Sequence, residues 1–159
     1  MGRYDNLKVT PLTRITTSWM NGVVDALNEL ASSVFAPMAK MAVKSLSVTP
    51  GTNSSYGGSA TATPTSGKGW IPSMVKVYWG GSFASGETVT VRITAKFSDG
   101  TSSSVTVSSS GVGEYWLTDR EKATLWNDGV CVSEVDVDAS SNASATSVTV
   151  TVTLYMIES

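Results

Sequence analysis

The sequence contains no histidine and only one cysteine, Cys131, among its 159 residues. Without histidine the chain has no HExxH zinc motif and no histidine-based catalytic triad, and it lacks the commonest general base near neutral pH. A single cysteine excludes a disulfide within the chain and a zinc site made of several cysteines. Because Val130 and Val132 flank Cys131, we expect it to pack as a small hydrophobic residue of a strand.

Charge and long apolar runs are also scarce. Charged residues make up 15% of the chain, and the net charge is -2. The basic residues are scattered, whereas nucleic-acid binding requires a basic stripe that displaces phosphate counterions, so we expect no nucleic-acid partner. No apolar run reaches 18 residues and no secretory signal is visible, so we expect neither a membrane span nor export.

Serine and threonine together occupy 45 positions. They give a polar but weakly charged surface, which is typical of extracellular or virion β-proteins. Such a surface without an export signal favours a virion protein, because a virion leaves the cell by lysis or budding.

The stretch ITTSWMNGVVDALNEL, Ile15 to Leu30, has the pattern of an amphipathic helix. A hydroxyl at residues 16–18 caps its start, and Pro37 is expected to break it. Residues 1–14 have no sustained period and are predicted to be an extended arm, with a short strand at 7–10. A helix of about 17 residues is marginal alone in water, so its apolar face needs a partner.

The apolar positions of this helix recur in alternating steps of three and four, which is a heptad spacing. The partner is a sheet of the same domain, another copy of the chain or a larger assembly, and the spacing alone leaves all three open. The predicted self-association residues are Trp19, Met20, Val23, Leu27, Leu30 and Val34.

From residue 43 the hydrophobic period changes to two, which predicts strands. In 89–97, for example, valine, isoleucine, alanine and phenylalanine alternate with threonine, arginine and lysine. The predicted strands lie at about 43–49, 57–63, 70–79, 87–97, 102–108, 130–138 and 146–157. A short helix is predicted at about 119–126, capped by Thr118, with Leu125 or Trp126 pointing inward.

Half-apolar strands at this spacing predict a mainly β fold, an antiparallel β-sandwich of jelly-roll type. We predict two parts: residues 1–42 form the arm and anchor helix, and residues 43–159 form the β-sandwich domain.

Three acids, Glu134, Asp136 and Asp138, alternate on one face of a predicted strand. Carboxylates can bind a hard cation such as calcium, but one strand spaces them about 6.8 Å apart, so loops would have to complete the site. Arg92 and Lys96 pair with these acids if their strands are neighbours. The acids are therefore weak metal candidates, and paired acids on a solvated face are favoured.

A glycosidase needs two carboxyl groups across a cleft. Asp119 with Glu121, or Asp136 with Asp138, is adjacent on one element and expected to be exposed. We therefore expect no catalytic residues and no cofactor.

Sugars stack on exposed aromatic rings, so Trp70, Trp79 and Trp116 are candidate glycan-binding residues. The other explanation is that tryptophans fill the core and subunit interfaces. Asn53 and Asn142 begin glycosylation sequons in predicted surface loops.

The stretch Ile15–Leu30, about a tenth of the chain, resembles the N-terminal segment of structural proteins of phages and archaeal viruses, such as fibres and capsid decoration proteins. The resemblance lies in an Ile-Thr start, a helix with an asparagine, and a close similar to "ALN". It implies attachment to the particle through an N-terminal arm, trimers and a β-rich outer domain. The chain departs from these proteins at Pro37, which would interrupt a long coiled-coil stalk, so any helical bundle is expected to be short.

The expected function is a non-enzymatic virion structural protein, a small fibre, spike or capsid decoration subunit. Its expected partners are copies of itself, most simply in a trimer, and other virion proteins. The alternative is a carbohydrate-binding module for host attachment, which takes cell-surface glycans as its ligands.

Overall fold

The computed structural model describes residues 17–35, 40–126 and 130–159. The chain divides into two compact units, Met1–Met38 and Ala39–Ser159. In the first unit the described element is helix α1, Thr17–Phe35. The predicted arm, with its strand at 7–10, and Pro37 lie outside the described residues.

Helix α1 begins at Thr17, so the only predicted capping hydroxyl that precedes it is that of Thr16, which is not among the described residues. The helix ends at Phe35, as expected with a proline at position 37, because the residue before a proline is disfavoured in the helical region. Four of its apolar side chains are 47–59% exposed to solvent: Met20, Val24, Leu27 and Leu30.

The second unit is built from antiparallel strands and one short helix. The elements are β1 Lys40–Val48, β2 Gly57–Ala62, β3 Trp70–Ser82, β4 Val89–Phe97, β5 Ser102–Ser109, β6 Gly113–Trp116, α2 Asp119–Leu125, β7 Val132–Ser141 and β8 Ser147–Glu158. All seven predicted strands are present. Strand β6 was not predicted, because its four residues are too few to show an alternating pattern.

The strands pair into one eight-stranded sheet whose ladders fall into two sets of four. One set has the order β1-β8-β3-β6, and the other has the order β2-β7-β4-β5. A single residue pair, Trp70 with Val132, links β3 to β7. By contrast, β3 and β8 pair along the whole of β3.

Alternation along the strands determines which side chains are buried. On β4, Val89, Val91, Ile93 and Ala95 are fully buried, while the residues between them are partly or fully exposed. The buried side chains of both sets of strands form one hydrophobic cluster. Burial of each valine or isoleucine stabilises the fold by roughly 1.5–3 kcal/mol, so this cluster is the main stabilising feature.

Helix α2 lies between β6 and β7 in the chain. The hydroxyl of Thr118 accepts a hydrogen bond from the Glu121 amide, as a capping residue does. Leu125 is fully buried and Trp126 packs partly buried against the core. The prediction of an antiparallel, mainly β protein with one N-terminal helix is confirmed, whereas face-to-face packing of two sheets stays a prediction.

Candidate functional site

The three acids of β7 lie beside the cations of β4, because these strands are neighbours in the sheet. Arg92 is opposite Asp138, and Lys96 is opposite Glu134. The guanidinium of Arg92 donates two hydrogen bonds to Asp138, Nε to Oδ1 at 2.9 Å and Nη2 to Oδ2 at 2.5 Å. Lys96 bridges Glu134 and Asp136, with its Nζ 2.7 Å from Asp136 Oδ2.

These pairs shift the pKa values of Arg92, Lys96 and Asp136. The hydrogen bond with Asp138 is the main cause of the raised pKa of Arg92. Hydrogen bonds with Asp136 and then Glu134 raise the pKa of Lys96. Burial by itself raises the pKa of Asp136, but the hydrogen bonds from Lys96 and Thr61 outweigh it and hold that pKa below its usual range.

The acids therefore neutralise basic side chains: Asp138 pairs with Arg92, and Glu134 and Asp136 both pair with Lys96. Over residues 17–35, 40–126 and 130–159, no group of three histidine, cysteine or acidic residues is placed to hold a metal ion. Of the two explanations for Glu134, Asp136 and Asp138, cross-strand pairing is the one present in the structure.

The same face contains an open hollow of about 420 Å³ with a polar lining. Arg92 lies over the ring of Tyr56, with its Cζ 4.0 Å from the ring centroid. Hydroxyl pairs between β4 and β5, such as Thr94 with Ser104 at 2.9 Å, continue the polar surface. Hydroxyls, carboxylates and cations on this face are hydrogen-bonded to one another across the strands.

Two of the three candidate sugar-binding tryptophans belong to the core, which corrects the prediction. Trp70 is 0% exposed and Trp79 is 3% exposed, so neither ring is available to a sugar. The indole N–H of Trp70 donates to Glu158 Oε2 at 2.9 Å. Tyr78, next to Trp79, points to the opposite face and is exposed, as alternation requires.

Trp116 is the exposed member of the three. Its ring stacks on Tyr155, with centroids 5.8 Å apart, and Lys76 Nζ lies 5.6 Å from the ring centroid. Trp116 lies on β6 opposite Lys76 of β3, on the face of the sheet that points away from the core.

That face carries an exposed apolar surface, which we name the outer apolar patch. The strand register places Met41, Ile157 and Ile71 in one row, and Val43, Tyr155 and Met74 in the next. The row after that ends at Trp116. Tyr155 and Ile157, in the middle of the two rows, are partly buried. The other five members are 43–62% exposed: Met41, Val43, Ile71, Met74 and Trp116.

Glu87 is a buried acid that sequence reasoning missed. Its side chain accepts hydrogen bonds from the Ser141 hydroxyl at 2.7 Å and from the Ala84 amide at 2.8 Å. Hydrogen bonds from Ser141, Thr146 and Ala84, in that order, hold the pKa of Glu87 below its ordinary value against the effect of burial. Glu87 thus ties the segment before β4 to the end of β7, and a single acid in a turn has no periodic signal that would reveal this.

The predicted self-association residues occupy different environments on α1. Met20, Leu27 and Leu30 are exposed, whereas Trp19 and Val23 are partly buried. Val34 belongs to α1, but its side chain is outside the described part of the structure.

The remaining candidates lie on the surface or on α2. Asp119 is exposed and pairs with Lys122 at 3.1 Å, while Glu121 accepts a hydrogen bond from the Tyr115 hydroxyl at 2.5 Å. Asn53 and Asn142 are both exposed. Asn142 uses its side-chain amide to bridge Thr88 and Gly86.

Comparison with known proteins gave no match to a family model and none to a curated protein. None of the described helices has the length and apolar character needed to cross a membrane. The class of the protein rests on its fold, which is mainly β and antiparallel.

Proposed function

We propose that this chain is a non-enzymatic virion structural protein, a small fibre, spike or capsid decoration subunit. It self-associates through α1, most simply as a trimer, and displays the 40–159 unit as a jelly-roll β-sandwich. Its partners are further copies of itself and other proteins of the virus particle.

The strand pairing supports the jelly-roll sandwich. Folding one long antiparallel hairpin into two layers pairs β1 with β8, β2 with β7, and β4 with β5, and these pairs are present. The resulting sheets have the orders β1-β8-β3-β6 and β2-β7-β4-β5. Their buried side chains contribute to one cluster, as expected for two layers that enclose a common core. Jelly rolls of eight strands are typical of viral capsid and lectin domains.

The exposed apolar surface of α1 is the observation that carries self-association. Met20, Val24 and Leu27 lie on one side of the helix, because steps of four and three residues return to the same side. Each of them is about half exposed. The charged residues of α1, Asp25 and Glu29, lie on the opposite side of the helix. An apolar side of this kind is stabilised when copies of the helix bury it against one another.

The substitution Leu27→Asp tests this role of α1, because it places a charge in the proposed contact. In sedimentation velocity we expect the wild-type chain to form a species of about three times the monomer mass of 16.6 kDa, or a multiple of that trimer. We expect Leu27→Asp to abolish this trimer. Asn28→Asp adds the same charge one residue further on, outside the apolar side, and is expected to retain the trimer.

A wild-type chain that stays monomeric at every concentration would contradict the proposal. Loss of the trimer in both variants alike would also contradict it, because the effect would then follow from charge rather than from the apolar side.

Glycan binding for host attachment is the second candidate function, now restricted to one tryptophan. Trp116 is exposed and its ring is held by Tyr155, which is the arrangement of a stacking platform. Trp70 and Trp79 have no part in this candidate.

A further inference from the structure

The two sets of strands differ in the chemistry of the face that points away from the core. On β4 and β7 this face carries Arg92, Lys96 and the paired acids, together with threonine hydroxyls. It follows the rule that the solvent face of an antiparallel sheet is polar. The corresponding face of β1, β8 and β3 departs from that rule, because it carries the outer apolar patch.

The patch is continuous across the strands. Ile157 of β8 lies between Met41 of β1 and Ile71 of β3, and Tyr155 lies between Val43 and Met74 in the next row. Neighbouring strands are about 4.8 Å apart and successive rows on one face are about 6.8 Å apart, so no polar row separates these side chains.

Charge lies at the border of the patch, beside Trp116 and at Ser73, whose carbonyl accepts a hydrogen bond from Lys122 Nζ at 3.3 Å. Lys76 lies beside Trp116 and pairs with Glu114, Nζ to Oε2 at 3.7 Å. No charged side chain stands in the two rows that contain Met41 and Val43. A partner that covers these rows therefore buries apolar groups without removing a charge from water, which is the costly step in forming an interface.

The size of the patch suits a second copy of the same surface. Its exposed side chains present roughly 500 Å² of mostly apolar surface, the size of the largest patches on monomers, which are often functional. Two such patches placed face to face bury roughly 1,000 Å², the lower bound of a specific interface. Two sheets also have a common way to pack on each other, with strands about 30° apart, and methionines adapt to fill the contact.

We propose that the outer apolar patch pairs with the same patch of a second copy about a two-fold axis. This contact is separate from the one through α1. A chain with two self-contacts of different symmetry can connect trimers to one another, as the subunits of a particle surface must be connected.

The test removes the patch in the Leu27→Asp background, which eliminates the α1 contact. Met41→Thr, Ile71→Thr and Met74→Thr are combined, because threonine keeps strand propensity and these side chains are exposed. Val112→Thr is the matched control: Val112 is also exposed but lies between β5 and β6, away from the patch. Sedimentation equilibrium gives the masses, and far-UV circular dichroism verifies that each variant is folded.

We expect Leu27→Asp to sediment as a dimer, the version with the triple threonine change as a monomer, and the version with Val112→Thr as a dimer. A Leu27→Asp protein that is monomeric up to its solubility limit, beside an oligomeric wild type, would overturn the patch contact and leave the α1 proposal standing. A dimer that survives the triple change would also overturn it, because another surface would then form the contact. If Leu27→Asp leaves the wild-type mass unchanged while the triple change lowers it, the patch contact stands and the α1 proposal falls.

Discussion

The three tryptophans that were candidate sugar platforms differ in burial, so truncation to alanine separates their roles. Trp70→Ala and Trp79→Ala each empty a fully packed position of the core cluster. Such large-to-small changes lower the free energy of unfolding by about 3–5 kcal/mol. Trp116→Ala removes a ring that is already 43% exposed, together with its stacking on Tyr155. We expect it to cost about 1–2 kcal/mol, since an aromatic pair contributes about 0.5–1.5 kcal/mol beyond area burial.

Urea unfolding followed by far-UV circular dichroism measures these differences without relying on tryptophan fluorescence, which the substitutions change. All variants are compared at one protein concentration, because self-association raises apparent stability. In thermal unfolding, the midpoint temperature of the two core variants is expected to lie roughly 10–20 °C below that of the wild type, and that of Trp116→Ala only a few degrees below it. Equal losses for Trp70→Ala and Trp116→Ala would refute the assignment of Trp70 to the core.

Phenylalanine substitutions refine the comparison. Trp70→Phe removes both volume and the hydrogen bond to Glu158, whereas the Trp79 indole N–H has no acceptor among the described residues. We therefore expect Trp70→Phe to destabilise the protein more than Trp79→Phe does.

Glu87→Gln removes the buried carboxylate that accepts from Ser141 and Ala84, and we expect a loss of roughly 1–2 kcal/mol at pH 7 in urea unfolding. Because the folded-state pKa is lowered, the carboxylate's contribution is complete above the unfolded value of 4.5 and is lost as the pH falls through the folded value. The difference from wild type should therefore shrink in acid, and a difference independent of pH would contradict this role. Glycan binding at Trp116 is the alternative to pairing of the outer apolar patch, which covers that ring. If glycan binding is the function, a glycan array shows binding that Trp116→Ala abolishes while the fold is retained; binding that persists in Trp116→Ala would exclude that ring.

The secondary structure was predictable wherever a strand keeps one regular alternation. The run 89–97 has apolar residues at every second position, and each of these is buried as expected. In α2, Thr118 was likewise predictable as the cap, which accepts from the Glu121 amide, and Leu125 as an inward residue. These signals are local, so the sequence contains them without any knowledge of strand pairing.

The burial of Trp79 was also available from local pattern, because Trp79 alternates in phase with Val75 and Val77. Trp70 was different. The register of β3 against β8 shifts between Pro72 and Met74, so Trp70 and Val75 share the core face although they are five positions apart. Alternation alone places Trp70 on the wrong face, and Pro72 marks an irregular position without giving the register that follows it.

The outer apolar patch left a partial trace in the sequence. Residues 41–43 and 154–157 are continuous apolar runs, where a strand with one wet face would alternate. The trace indicates that both faces of β1 and β8 are apolar over these residues. It does not show that the two strands are neighbours, because their register is a long-range property of the sheet.

Strand β8 lies between β1 and β3 and pairs with both along most of its length. It also follows the other seven described strands in the chain order. During synthesis on the ribosome, the edges of β1 and β3 that pair with β8 therefore stay unpaired until β8 has emerged. Contacts between distant parts of a chain make folding slow, and open strand edges favour aggregation meanwhile. We therefore expect the yield of native protein to depend on how quickly β8 is synthesised and on chaperones that prevent β1 and β3 from aggregating before then.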